Sequence, residues 1–194
     1  MTTTNRQRRA LVTGGSGDIG GAICRALAAR GHFVYVHANT NANRAHDLAY
    51  EIGGNAKAVT FDVTKADASR AAIDAMLADG AIDILVHNAG IHDDAPLAGM
   101  TETQWHRVID VSLHGFFHTT QPLLLPMARA KFGRIVCVSS VAAVLGNRYM
   151  DIPETISPPP SGNEDLPKRH SHIFWTERKT RCARSPRFTL GGVC

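Results

Sequence analysis

Four glycines lie within the eight residues TGGSGDIG, Thr13–Gly20. A short apolar run, ALVT, precedes them, and the amphipathic stretch IGGAICRALAAR follows. Glycines between a strand and a helix let the backbone turn sharply and approach a phosphate closely. The helix start then offers free N–H groups and the positive end of its dipole. The chemistry this suits is the grip of a dinucleotide pyrophosphate; the alternative is a tight turn that holds no ligand. Which dinucleotide is hinted at further on, in VYVHANTNANR, Val34–Arg44. A site for NAD places an acid at the end of the second strand to hold the ribose 2′-hydroxyl. Here no acid lies between Asp18 and Asp47. A 2′-phosphate would meet no repulsion, and Asn39, Thr40 or Arg44 could bind it. The expected cofactor is therefore NADP(H).

Two histidine groups could hold a metal. His114 and His118 are four residues apart on an expected helix, but no glutamate follows His114 and no third ligand is evident. They read as two separate surface or packing histidines. HNAGIHDD gathers His87, His92, Asp93 and Asp94. These read as a solvated loop near the cofactor, so no metal is expected.

The elements that must position these groups alternate along the chain. HFVYVH is a second strand, NRAHDLAYEI a second helix, and AKAVTFDV a third strand. KADASRAAIDAMLA is a third helix, and IDILVHNAG a fourth strand running into glycine. TETQ at Thr101–Gln104 fits a capping box. Trp105, Val108, Ile109, Leu113, Phe116 and Phe117 follow at spacings of three and four, and Pro122 and Pro126 are expected to kink or interrupt the continuation. GRIVCVSS is a fifth strand. Near-continuous apolar strands separated by helices indicate a parallel sheet covered on both faces, a doubly wound α/β (Rossmann) fold.

This regularity stops after Arg148. Six of the nine prolines lie beyond it, and alanine occurs there only at Ala183. The expected division is a dinucleotide-binding domain over 1–148 and an irregular tail over 149–194. An Arg/Pro/Ser-rich tail of this kind is what a shifted reading frame in GC-rich DNA would encode. The net charge of +4 over 194 residues permits phosphate binding without demanding nucleic acid. The basic tail lacks an aromatic pattern, so it reads as solvated rather than as a nucleic-acid binder. The four cysteines are scattered, with no CxxC pair, which points to a reducing, cytoplasmic compartment. The N-terminus lacks an apolar signal region, and no apolar run is long enough to span a bilayer.

Three segments together resemble the short-chain dehydrogenase/reductase family: TGGSGDIG, HNAG at His87–Gly90, and GRIVCVSS at Gly133–Ser140. They stand in the family's order, at the ends of strands one, four and five. The resemblance covers roughly residues 8–148 and is nearest to the 3-oxoacyl-[acyl-carrier-protein] reductases. It implies that Gly14, Gly15, Ser16, Gly17, Ile19 and Gly20 line the pyrophosphate, with Asn39 near the adenosine ribose. Asp62 and Val63 would face the adenine, and Asn88, Ala89 and Gly90 would pass beneath the cofactor. Ser140 would hydrogen-bond the substrate carbonyl. The substrate class implied is a small-molecule or carrier-bound acyl group, and the implied assembly is a homo-oligomer paired through long helices after strands three and five.

The sequence departs from the family pattern at three places. Asp18 stands where a glycine is usual, and its carboxylate must point away from a pyrophosphate. Ser112 stands where many members have an asparagine that holds a water in the proton relay. The family's Tyr-x-x-x-Lys, in which the lysine lowers the phenol's pKa, would fall at Pro153 and Ser157. Tyr35, Tyr50 and Tyr149 are followed four residues later by Asn39, Gly54 and Pro153, so no such dyad exists. Tyr149 is the phenol nearest the expected position. The resemblance therefore implies an NADPH-dependent reductase of 3-oxoacyl thioesters or related ketones, truncated at the C-terminal edge of its sheet and lacking its proton donor. A non-catalytic NADP-binding remnant is the alternative, and a pairing helix would also be missing.

Overall fold

A computed structural model describes residues 6–93 and 95–140. Five parallel strands form one sheet in the order β3-β2-β1-β4-β5. They are β1 (Arg9–Thr13), β2 (Phe33–Ala38), β3 (Ala56–Thr60), β4 (Ile84–His87) and β5 (Arg134–Cys137). The helices between them are α1 (Asp18–Ala29), α2 (Ala42–Ile52) and α3 (Ala66–Ala78), then α4 (Glu102–Ile109) and α5 (Gly115–Arg129). The fold is the doubly wound α/β sheet that the sequence indicates.

Strand alternation feeds two apolar layers. Ala10 and Val12 of β1 face Cys24 and Leu27 of α1 and Ala45 and Leu48 of α2. Leu11, between them, faces the opposite layer with Tyr35, Ile73, Leu85, Leu123 and Met127. Because both faces are covered, successive residues of β1 are all apolar, and Ala10, Leu11 and Val12 are fully buried. Register is continuous across the centre: Val12 pairs with Val36 on one side and with Val86 on the other.

At the N-terminal end of the strands, Asp83 is buried and fastens the chain start. Its carboxylate accepts two bonds from Arg6 at 2.9 and 2.5 Å and one from the Arg9 N–H at 2.9 Å. The chain after β3 had passed to one side of β1; β4 pairs on the other side. The order thus reverses at β1, and the crevice between the C-terminal ends of β1 and β4 is the topological switch point, where ligands of such sheets bind.

One expectation about the long helical region needs correction. Pro122 and Pro126 do not interrupt it, since α5 runs unbroken through both. Each proline forfeits one backbone bond, and Pro122 is buried. The break lies earlier, at Asp110–His114, where one turn widens to i→i+5 spacing between α4 and α5. The capping box is present: Thr101 Oγ1 accepts from Gln104 N, and the Thr101 N–H donates to Gln104 Oε1.

Candidate functional site

The glycine turn is held from below by two buried side chains. Thr13, the last residue of β1, is fully buried and accepts through Oγ1 from the N–H groups of Asn88 and Ala89, both at 3.0 Å. Its lone pairs are then used, so its own proton points to His87 Nδ1 at 3.3 Å. Asn88 returns the tie, its Nδ2 reaching the carbonyls of Thr13 and Gly14 at 3.2 Å. The second support is His37, at the end of β2. Its Nδ1 accepts from the Gly14 N–H at 3.0 Å, so Nε2 carries the proton and donates to the Phe61 carbonyl at 2.8 Å. One imidazole thus ties together the ends of β1, β2 and β3. Burial lowers the His37 pKa, as the neutral tautomer requires.

The turn itself is tight. Gly14 has φ +62, and a Cβ on Gly20 would stand 2.2 Å from the Gly14 carbonyl oxygen. No other residue fits at Gly20 without opening the turn. Gly17 caps α1 without a side-chain acceptor. The Gly21 N–H takes the Gly17 carbonyl, so the N–H groups of Asp18, Ile19 and Gly20 have no intrahelical partner. Uncapped donors above a glycine cradle fit an anionic phosphate. Asp18 does point away: its carboxylate pairs with Arg44 in the first turn of α2. Asn39 is exposed just past β2, and Ile19 is exposed on α1.

Asp62 and Val63 follow β3. The Asp62 carboxylate accepts from Thr64 N and Oγ1 at 2.9 and 2.8 Å. Val63 is buried under α5, where Gly115 leaves it room and His118 Nδ1 meets its carbonyl at 2.9 Å. His114 bonds instead to Asp110 at 2.7 Å, so the two helical histidines serve different partners.

His87 is a correction to the solvated-loop reading of HNAGIHDD. It belongs to β4 and is almost fully buried. Burial lowers its pKa to about 4. Its ring faces the Ser112 backbone at the widened turn, which opposes part of that shift, and among the described residues Nε2 makes no hydrogen bond of normal geometry. Asp93 is likewise no loose loop acid, since Gln104 Nε2 and Arg107 grip it at 3.0 and 2.7 Å. His37 is not singled out by the sequence, which names His87 and Thr13 only as members of HNAGIHDD and TGGSGDIG. The available signal was polar residues closing otherwise apolar strands.

Ser140 lies three residues beyond β5. The ladder continues past that strand through Val138 N to the His87 carbonyl at 2.9 Å, which keeps the segment beside β4. Tyr149, the irregular tail and its basic residues lie outside the described residues. The other tyrosines stand apart from the crevice. Tyr35 is buried with its hydroxyl on Arg9, and Tyr50 is exposed on α2. The Cys24 thiol is pushed up to about 12 by burial, which suits packing and not reactivity. Among the described residues no helix is long and apolar enough to cross a membrane.

The family model for short chain dehydrogenase matches residues 8–151. The chain belongs to this family. It is 40% identical over 141 residues to nodulation protein G of a Rhizobium species, covering 72% of this chain and 57% of that one. It is 37% identical over 143 residues to a 3-oxoacyl-[acyl-carrier-protein] reductase of Aggregatibacter actinomycetemcomitans, covering 71% and 59%. With an acetoacetyl-CoA reductase of Rhizobium meliloti the identity is 44% over 135 residues, covering 69% and 55%. A crystal structure of gluconate 5-dehydrogenase from Burkholderia cenocepacia, in complex with NADP and tartrate, superposes with a TM-score of 0.67. Its identity is 37%, covering 72% of this chain and 56% of that one. The chain thus spans somewhat more than half the length of these relatives.

Proposed function

We propose that this short-chain dehydrogenase binds NADP(H) at the β1–β4 crevice, and that the reaction it inherits is reduction of a 3-oxoacyl thioester or a related ketone. One observation carries the reading: the uncapped start of α1 sits over a glycine turn that Thr13, His37 and Asn88 hold rigid. Gly14, Gly15, Ser16, Gly17, Ile19 and Gly20 would hold the pyrophosphate. Asn39 would lie by the ribose, Asp62 and Val63 by the adenine, and Asn88 to Gly90 beneath the nicotinamide end. The NADP-bound dehydrogenase and the two reductases among the relatives support this choice of cofactor and reaction.

The nicotinamide supplies a hydride to the carbonyl carbon when bound. The chain's own groups must orient the carbonyl and deliver a proton to its oxygen. Ser140, at the end of β5, donates a hydroxyl hydrogen bond to that oxygen. Ser112, at the widened turn, can help hold a water. Proton delivery is where the chain falls short, because no Tyr-x-x-x-Lys occurs anywhere in the sequence. General acid catalysis contributes about 10²–10⁴-fold in rate. Turnover is therefore expected to fall at least that far below a complete reductase, with binding retained.

Titrating the full chain into NADPH and following cofactor fluorescence tests the binding. Adding acetoacetyl-CoA and following absorbance at the nicotinamide band then tests turnover. Retention of NADPH with negligible oxidation is expected. A folded sample that fails to retain NADPH overturns the cofactor assignment, and brisk oxidation overturns the loss of the proton donor.

A further inference from the structure

Asp18 and Arg44 belong to different crossovers yet meet. Asp18 opens α1 directly after the glycine turn, and Arg44 is the third residue of α2, its backbone N–H held by Asn41 Oδ1 at 3.2 Å. Their ion pair spans the two helix starts, and the exposed residues Asn39 and Thr40 lie in the same crossover, between β2 and α2. It therefore joins the place where a pyrophosphate would bind to the place where an adenosine ribose would bind. The Asp18 side chain is 92% exposed and that of Arg44 56%, so the pair is weak and can be exchanged. A phosphate forms the stronger partner for a guanidinium, through paired charge-assisted hydrogen bonds.

Resting on the cofactor reading above, we propose that Asp18 is an internal competitor for the 2′-phosphate. It occupies Arg44 until a 2′-phosphate takes its place, and so sets how strongly NADP(H) is favoured over NAD(H). NAD(H) has no 2′-phosphate and leaves the ion pair intact. NADP(H) must break the pair and leave the Asp18 carboxylate near a new anion. The preference given by Arg44 is accordingly smaller than the arginine alone would confer, and removing the Asp18 charge releases the remainder.

The test is a double-substitution cycle on the full chain, with NADPH and NADH each titrated by fluorescence against wild type, Asp18→Asn, Arg44→Gln and the double variant. Both side chains are exposed, and matching thermal melts will show that all four proteins are folded. Asp18→Asn should tighten NADPH about twofold to fivefold and leave NADH affinity unchanged within about 1.5-fold. Arg44→Gln should bring NADPH affinity down towards that of NADH. In the Arg44→Gln background, Asp18→Asn should no longer favour NADPH. Equal tightening of both cofactors by Asp18→Asn overturns the inference, because Asp18 would then merely repel the shared pyrophosphate. Persistence of the selective gain without Arg44 overturns it as well. In either case the binding itself leaves the functional reading standing. Failure of every folded variant to bind either cofactor overturns that reading, and this inference with it.

Discussion

Acidifying the protein from pH 7 to pH 5 will cost the fold about 2 kcal/mol through His87 alone. His87 is 2% exposed, its Nδ1 receives the Thr13 hydroxyl, and among the described residues only the Ser112 backbone approaches the ring to favour its charged form. Burial brings its pKa from 6.5 down to about 4. As pH falls, the unfolded chain takes up the proton before the folded one does. The contribution of His87 is therefore complete above about pH 6.5 and is lost progressively towards pH 4, at about 1.4 kcal/mol per pH unit within that window. His37, whose pKa burial also lowers, acts in the same direction. Urea denaturation midpoints measured at intervals from pH 7.5 to 5 will report the slope. His87→Asn keeps an acceptor for Thr13 but does not titrate, so its curve should be flatter by the His87 share. Parallel curves for wild type and His87→Asn would refute the argument, because the slope would then belong to other groups.

Three further outcomes rest on the same geometry. Thr13→Val keeps the shape of the side chain but leaves the N–H groups of Asn88 and Ala89 without their acceptor. A loss of about 2–3 kcal/mol in unfolding free energy is expected, measured by chemical denaturation. Gly20→Ala forces a Cβ onto the Gly14 carbonyl. It should destabilise by about 1–3 kcal/mol and weaken NADPH retention at least about tenfold, because the turn itself must open. Leu113, Phe117 and Leu125 make up an exposed apolar row only in sequence, on the widened turn and α5. If this row pairs copies of the chain, Phe117→Glu should shift the protein to a smaller species in light scattering.

The sheet was legible because each element carries its own signal. The short apolar run at Ala10–Thr13, ending in glycines, reads as a buried strand, and Gly31 and Gly53 close their helices at φ +83 and +82. The capping box at Thr101 was readable from side-chain chemistry alone. The widened turn at Asp110–His114 was not, because periodicity does not record an extra residue within one turn. Nor could spacing show that α5 would pass through Pro122 and Pro126, since tertiary packing overrode their local cost. At the site, the glycines announced the cradle. The pairing of Asp18 with Arg44, 26 residues away, and of Gly14 with His37, 23 residues away, follows only from strand order.

These contacts also explain how a cofactor site could outlast its chemistry. Every tie described around the glycine turn comes from the ends of β1, β2, β3 and β4: Thr13, His37, Phe61 and Asn88. None depends on a residue later than Ala89. The cradle is therefore set by the central strands, which are also the most deeply buried. Proton transfer in the family draws instead on residues beyond β5, where this sequence departs from the pattern. A change downstream of Ser140 can remove that function while leaving these hydrogen bonds among the described residues in place. Retention of the dinucleotide and turnover of the ketone should accordingly fail separately: substitutions at Thr13 or Gly20 act on the first, and the missing dyad limits the second.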